Sequence, residues 1–215
     1  PGIMGTHLAL KGRKPSANRR IWFNTVNLAL GELSRLADVS ASGVVTDDLF
    51  ELIYGELADH LAATHAVLRC PYDWRRDPHD AADLLARTIE QAARDNPGQP
   101  INLVVHSLGG LVARALIAAH PDAWRRVVAS GGRLVMLGTP NNGAHMIAHT
   151  LLGKASAIRL LEKVDLAHDM QQILDIVAGF PGVLALLPRP GFADSGDGGA
   201  TRGNGQRVAS ADYYH

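Results

Sequence analysis

The clearest change in the pattern of hydrophobic and polar positions occurs at a single serine. Residues 101–105 form a short, mostly apolar and partly β-branched run, which predicts a buried parallel strand. From Leu108 onward, apolar residues recur every three or four positions until His120 and Pro121, which predicts a helix that packs on a sheet through one face. Ser107 therefore lies where a strand becomes a helix, and this junction requires a tight turn.

Helical spacing and short apolar runs alternate along much of the remaining chain. Thr46 can cap a helix, and the apolar run at 66–70 that follows it predicts a strand. Asp77 and Pro78 are residue types favoured at the start of a second helix. The predicted elements after the serine and its helix are a helix at 121–130 and a strand at 133–137. This alternation predicts an α/β fold with a mostly parallel sheet and helices on both faces.

The pattern divides the chain into three regions. Residues 1–142 carry the alternation and are predicted to form the α/β core. Residues 143–190 have apolar positions at helical spacing without a convincing strand, which predicts a helical cap inserted over the strand ends, although such stripes are also typical of plain core. Residues 191–215 are rich in glycine and small polar residues, which predicts a flexible linker or tail.

Composition indicates a globular protein and argues against several classes of binding partner. The 215 residues, of which 47% are hydrophobic and 20% charged, can bury one full core. The 21 basic residues balance the 21 acidic ones, so we expect no nucleic-acid partner and no anionic membrane partner. Cys70 is the only cysteine in the sequence, and no Cys or His cluster has the spacing of zinc ligands. We therefore predict no internal disulfide, no metal site and no cofactor.

The sequence shows neither a membrane-spanning segment nor a targeting signal from which the cellular location could be predicted. No apolar stretch is long enough to span a bilayer, and the first residues carry no secretory pattern. Pro1 is not a natural start, so we expect the chain to be cut from a longer one. A bacterial cytoplasmic location and a secreted location both stay open, and the sequence does not predict the oligomeric state.

The segment 105–110, with the sequence VHSLGG, is typical of a nucleophile elbow. Such a turn exposes the hydroxyl of Ser107 and directs the amide of Leu108 toward an oxyanion formed beside it. The two glycines that follow let the helix pass close to its neighbours. Val105 stands where the usual pattern has a glycine, so we expect a small neighbour on the adjacent strand to absorb the crowding. The alternative is a serine that caps an ordinary helix.

Four segments together resemble the lecithin:cholesterol acyltransferase-like lipases, a group within the α/β-hydrolase superfamily. The resemblance extends from the first residue to about Pro188, and the segments that carry it are 1–6, 70–75, 105–114 and 137–143. It implies an α/β-hydrolase fold with a helical cap whose inner face could hold an acyl chain. It also implies a serine esterase, lipase or O-acyltransferase that acts on an ester, expected to be lipid-like, through an acyl-serine intermediate.

The resemblance assigns roles to three residues. It makes Ser107 the nucleophile and forms the oxyanion hole from the amides of Leu108 and Ile3. Glycines on both sides of Ile3 would let backbone donors approach a carbonyl oxygen, although a simple loop is the alternative. Substrate-binding residues are not predicted.

Several polar and aromatic residues lie near the predicted mouth of the site. Asp73 and Trp74 follow a predicted strand end, where they could position the opening loop or the cap, but a local turn and core filling are the favoured interpretations. Asn141 and Asn142 follow the next strand and could face substrate, but turn formation is the default.

A serine nucleophile also needs a histidine base and a carboxylate, which in this fold follow the serine in the order acid, then histidine. We find no later strands to carry them. His106 is excluded because it is adjacent to Ser107 on the elbow and points to the other face. The histidines and acids that remain are His120, His145, His149, His168, Asp194, Asp197, Asp212 and His215. None has the expected position, so we expect a truncated fold with acid and base beyond residue 215.

Two alternatives stay open. The fold could serve as a non-catalytic binding or scaffolding module that has lost its triad. Catalysis could also act on another ester or on an amide, with a small-molecule substrate in place of a lipid.

Overall fold

The computed structural model describes residues 1–40 and 43–188, together with the backbone of residues 200–201 and 207–208. Helices and strands are mixed along this part of the chain, which confirms the α/β class. The described strands are β1 (Thr6–Leu10), β2 (Arg19–Trp22), β3 (Val44–Leu49), β4 (Leu103–His106), β5 (Leu134–Leu137), β6 (Ala200–Thr201) and β7 (Arg207–Val208).

The helices account for most of the remaining described residues. The described α-helices are α1 (Thr25–Ala29), α2 (Glu51–Ala62), α3 (Pro78–Asp95), α4 (Leu108–Ala119), α5 (Pro121–Ala129), α6 (His145–Leu151), α7 (Ser156–Val164), α8 (Met170–Ala178) and α9 (Pro181–Leu184). Two short 3-10 helices span Pro15–Ala17 and Glu32–Leu36.

The described strands form separate small sheets. β1 lies between β2 and β3 and is antiparallel to both, whereas β4 and β5 form a parallel pair in which His106 faces Leu137. Within the described residues, only β4 and β5 pair in parallel. The described strands therefore do not confirm one mostly parallel sheet with helices on both faces, because the N-terminal strands pair antiparallel and form a sheet of their own.

The apolar run at 66–70 is not a strand in the structure, contrary to the prediction. It joins no ladder with another described residue, and Val67 and Leu68 stay exposed. A cavity of about 840 Å³ is lined both by this run and by β4. The apolar run has the residue pattern of a buried strand. A strand also needs a backbone partner, and the pattern of apolar residues does not reveal whether one is present.

The N-terminal region holds the largest difference from the sequence prediction. Thr46, predicted to cap a helix, lies inside β3, where it faces Leu8 of β1. α2 begins only after Phe50, which makes no side-chain cap. The polar residues near Thr46 resemble a helix start when read locally, but antiparallel pairing with β1 satisfies this backbone instead.

The central helices agree with the sequence prediction. The carboxylate of Asp77 accepts a hydrogen bond of 2.9 Å from the amide of His79, and Pro78 opens α3. α4 ends at His120, where Pro121 starts α5. These boundaries are set by short-range steric and capping effects, which is why local residue types predict them.

The region 143–188 is helical, as predicted, and no strand lies among these residues. Ile158, Ile173 and Phe180 pack in the same hydrophobic cluster as Trp74 and Leu108. The C-terminal helices therefore share one hydrophobic core with the start of α4. Most of the predicted linker at 191–215 lies outside the described residues, apart from the antiparallel pairing of β6 with β7.

Candidate active site

Ser107 has the backbone of a sharp turn. Its φ of 50° and ψ of −120° separate β4 from α4, and Met4 is the only other non-glycine residue with positive φ in the described part of the chain. The amide of Ser107 donates a hydrogen bond of 2.9 Å to the carbonyl of Leu137 on β5. A helix-capping serine has extended backbone and binds an amide with its side chain, whereas Ser107 makes no such cap bond. The alternative of an ordinary capping serine is therefore wrong.

The two glycines after the serine allow close contacts, as predicted. A Cβ on Gly109 would lie 2.6 Å from the carbonyl oxygen of Pro1. A Cβ on Gly110 would lie 2.0 Å from Oγ1 of Thr139, which follows β5. The neighbours that require these glycines are thus the start of the chain and the loop after β5.

Val105 is accommodated differently from the prediction. Its partner in register on β5 is Met136, which is not a small residue. Val105 borders the cavity of about 840 Å³ instead, together with His106 and Gly109. The expected small residue is therefore absent at this register position, and Val105 is nevertheless buried.

Residues 1–5, which we call the opening loop, lie against the elbow. The amide of Gly5 donates a hydrogen bond of 3.1 Å to the carbonyl of Gly2, which closes a turn with Met4 at a φ of 61°. A Cβ on Gly2 would lie 2.9 Å from the Cβ of Ser107. The structure therefore brings Gly2, the residue before Ile3, into contact with Ser107.

The amides of Ile3 and Leu108 are the two donors that the sequence resemblance predicts for an oxyanion hole. Ile3 is half-buried and Leu108 is buried. Within the described residues, the amides of Ile3 and Leu108 donate no backbone hydrogen bond. The amide of Leu108 lies in the first turn of α4, where amides have no acceptor within the helix. Among the described residues, neither amide is therefore occupied by a backbone acceptor.

Two aromatic side chains from the segment 70–75 hold the start of the chain. The hydroxyl of Tyr72 donates a hydrogen bond of 2.7 Å to the carbonyl of Pro1. The indole Nε1 of Trp74 donates one of 3.0 Å to the carbonyl of Thr6. Trp74 is also almost fully buried, so it fills core space, as favoured from the sequence, and positions the chain next to the opening loop.

Two further side chains bind inside the opening loop. The indole Nε1 of Trp22 donates a hydrogen bond of 3.0 Å to the carbonyl of Met4. The hydroxyl oxygen of Tyr54 accepts one of 2.7 Å from the amide of Gly2 and lies 2.9 Å from Nδ1 of His106. Sequence analysis missed both residues, because neither lies near the elbow in the chain.

The pKa values of Tyr54 and His106 move apart. Burial raises the pKa of the Tyr54 phenol above its usual range. Burial lowers the pKa of His106 below its usual range. Both side chains are therefore uncharged near pH 7.

Asp73 serves a local turn, as favoured from the sequence. Its carboxylate accepts hydrogen bonds from the amide of Arg75 at 3.1 Å and from the guanidinium of Arg75 at 2.9 and 2.6 Å. The same buried guanidinium donates to the carbonyl of Leu36. The buried charge of Arg75 thus has both a carboxylate partner and a backbone acceptor, as a buried charge requires.

Asn141 connects the loop after β5 to the elbow helix. Its amide donates to the carbonyl of Thr139 at 3.0 Å, which is the predicted turn role. Its carbonyl and side-chain oxygens accept hydrogen bonds of 2.7 and 3.2 Å from Arg114 on α4. These hydrogen bonds tie the loop after β5 to α4.

No described histidine binds the side chain of Ser107. His120 pairs with Asp83 through Nε2 at 2.6 Å, and His168 pairs with Asp165 through Nδ1 at 2.8 Å, beside Gly31. His106 binds Tyr54. The tail residues considered from the sequence, namely Asp194, Asp197, Asp212 and His215, lie outside the described residues.

No group of His, Cys, Asp and Glu residues in the described part of the chain could hold a metal ion, and no helix there is both long and apolar enough to cross a bilayer.

Comparison with known proteins identifies one family. The family model described as "Lecithin:cholesterol acyltransferase" matches residues 49–201. This match contains α2, the segment 70–75 and the elbow, but not the opening loop. No curated protein and no solved structure matched the chain.

Proposed function

The chain belongs to the lecithin:cholesterol acyltransferase family, within the α/β-hydrolase superfamily of lipases and acyltransferases, and we propose that Ser107 is its nucleophile. The family indicates lipase-like or acyltransferase activity on lipid esters. In the proposed reaction, Oγ of Ser107 forms a bond to the ester carbonyl carbon and transfers its proton to a histidine base. The bond from that carbon to the alcohol oxygen breaks, and the alcohol leaves with this proton. Water or a second alcohol then releases the acyl group and restores Ser107.

The contact between Gly2 and Ser107 is the observation that carries this proposal. A Cβ on Gly2 would lie only 2.9 Å from Cβ of Ser107. This close approach supports a position of the following peptide, which carries the amide of Ile3, beside the proposed nucleophile. The amides of Ile3 and Leu108 would then stabilise the oxyanion of the tetrahedral intermediate. Removal of one such donor typically lowers the rate about 10²- to 10³-fold.

The turn at Ser107 supports the nucleophile role independently. Residues are held at strained backbone angles most often where function needs them, and Ser107 combines a positive φ with a side chain that makes no cap bond. We propose that the histidine base and its acid belong to parts of the protein outside the described residues. We also propose that α6 to α9 form the cap of an α/β-hydrolase fold.

Covalent labelling of the full-length protein tests this proposal. We expect a fluorophosphonate probe to modify Ser107, identified by peptide mass spectrometry, and we expect the Ser107→Ala variant to be unlabelled. Ser156, an exposed serine at the start of α7, offers a matched control, since Ser156→Ala should label like the wild type. Labelling that spares Ser107 would reject the nucleophile role and favour a non-catalytic module.

A series of p-nitrophenyl esters of increasing chain length tests the substrate class. We expect the full-length protein to hydrolyse these esters and the Ser107→Ala variant to lose this activity. A preference for long acyl chains would support a lipid substrate. A preference for the shortest esters would place the enzyme among general esterases.

A further inference from the structure

We propose that Tyr54 is a positioning residue for the reaction: it couples His106 to Gly2 and thereby holds the amide of Ile3 beside Ser107. This inference rests on the function proposed above. Tyr54 lies on α2, and its contact with Gly2 joins residues 52 positions apart in the chain. It touches none of the reacting atoms, so its effect passes through the opening loop.

The hydrogen bonds around the Tyr54 hydroxyl have a defined direction. The amide of Gly2 can only donate, so the hydroxyl oxygen accepts this bond at 2.7 Å. The hydroxyl hydrogen then needs an acceptor, and Nδ1 of His106 lies 2.9 Å away. A neutral imidazole accepts at Nδ1 when Nε2 carries its proton. The bonds therefore run from Gly2 through Tyr54 to His106, an arrangement in which each bond strengthens the next.

The opening loop is shaped around this hydroxyl. A Cβ on Gly5 would lie 2.8 Å from the Tyr54 oxygen, and a Cβ on Gly2 would lie 3.0 Å from Nδ1 of His106. Glycine at both positions thus lets the turn close over the phenol, and the two glycines are joined by their own backbone hydrogen bond of 3.1 Å. The turn and the phenol fix each other's positions.

The orientation of Gly2 decides where the proposed oxyanion donor lies. The amide of Ile3 is part of the peptide that follows Gly2, so a rotation at Gly2 would move this donor relative to Ser107. The elbow supplies His106 and Ser107 as consecutive residues, which ties the position of Tyr54 to the nucleophile itself. The network therefore sets the distance between the two halves of the oxyanion hole.

Kinetics of the full-length protein with p-nitrophenyl butyrate test this role. We expect Tyr54→Phe to lower kcat about 10- to 100-fold, since misplacement of a catalytic group by about 1 Å can cost 10²-fold. KM should change less than about threefold, because the donor acts on the transition state more than on the bound ester. Glu56→Gln, an exposed change on the same helix, should match the wild type. Thermal unfolding checks that each variant is folded.

Substitutions at His106 separate coupling from independent effects. His106→Asn retains an acceptor close to the position of Nδ1 and should keep most of kcat, whereas His106→Leu should lower it about as much as Tyr54→Phe does. The double variant of Tyr54→Phe with His106→Leu should be no slower than the worse single variant, since the two residues act through one path.

Three outcomes would overturn the inference. An unchanged kcat in Tyr54→Phe, with Ser107→Ala inactive, would reject Tyr54 and leave the proposed function intact. Multiplying effects in the double variant would show that Tyr54 and His106 act separately. Wild-type activity in Ser107→Ala would reject the proposed function itself, and the role of Tyr54 with it.

Discussion

The elbow and the opening loop each contain one non-glycine residue at positive φ, but they are held in place by different means. Ser107, with φ of 50°, is fixed by β4 before it and α4 after it. Met4, with φ of 61°, lies in a turn that depends on side chains far along the chain, such as those of Trp22 and Tyr54. One half of the proposed oxyanion hole is therefore positioned by residues close in the chain, and the other half is positioned by tertiary contacts.

This difference determines how each region should respond to substitution. The elbow packs backbone and short side chains within van der Waals limits, so an added methyl group has no room there. The opening loop is held by several single hydrogen bonds, each of which contributes about 0.5–1.5 kcal/mol. We expect large losses from changes in the elbow and graded losses from changes around the loop.

The largest effect on stability is expected from Gly110→Ala. Its new Cβ would lie 2.0 Å from Oγ1 and 2.6 Å from Cβ of Thr139, so the loop after β5 must move. Overpacking of this kind costs about 1–3 kcal/mol of unfolding free energy, measurable by denaturant titration. Gly43→Ala is the matched control, because a Cβ there meets no atom of the described residues within 4 Å. Adding Thr139→Ala should restore part of the loss; no restoration would contradict this account.

Strain at the elbow should appear as a difference between two inactive variants. Ser107→Gly removes both the hydroxyl and the penalty for positive φ, whereas Ser107→Ala removes only the hydroxyl. Strain of this kind costs about 1–3 kcal/mol, and glycine gives back about 0.4–1 kcal/mol through the entropy of the unfolded chain. We expect the unfolding free energy of Ser107→Gly, measured by denaturant titration, to exceed that of Ser107→Ala by about 1 kcal/mol. Equal stabilities would mean that the strain is no larger than the entropy loss of about 0.4–1 kcal/mol, which would contradict the expected difference.

A single anchor of the opening loop should matter less. Tyr72→Phe removes the hydroxyl that binds the carbonyl of Pro1 at 2.7 Å but keeps the buried ring. We expect a loss of about 1 kcal/mol in unfolding free energy, from one hydrogen bond to a backbone oxygen. If Tyr72→Phe lowered the unfolding free energy as much as Gly110→Ala does, the opening loop would be as sensitive to substitution as the elbow. The proposed difference between the two regions would then be wrong.

The smallest expected effect is a pH dependence at the point where the two regions meet. The folded state holds the pKa of His106 below the ordinary histidine value of about 6.5, chiefly through burial. As the pH falls below that value, the unfolded chain takes up the proton first, so folding stability decreases. His106→Asn should lose less stability than the wild type between about pH 7.5 and pH 5.

His7 provides the background for that measurement. Burial and the charge of Arg20 also lower the pKa of His7, so part of the decrease at low pH should persist in every variant. The test is therefore the difference between His106→Asn and the wild type at the two pH values. Identical pH dependence in both proteins would contradict the assignment to His106.

Sequence reasoning succeeded where neighbouring residues decide the structure. The junction at Ser107, the cap at Asp77 and the stop at Pro121 depend on dihedral preferences and on bonds that span only a few residues. The same reasoning failed at Thr46 and at residues 66–70. In those places the choice between strand, helix and loop depends on which distant backbone is available to pair, and one-dimensional patterns contain no record of that.

The sequence by itself determined the turn at Ser107, the helices around it and the family. The turn and the helices depend on residues close together in the chain, and the family is indicated by several short motifs that occur in a fixed order. Only the tertiary structure decided that Gly2 touches Ser107 and that Tyr54 binds Gly2. Hydrogen bonds between residues 52 positions apart leave no local signal, since the composition around each partner is the same whether or not they meet. Close packing fixes such contacts, and it does so only once the whole core has formed.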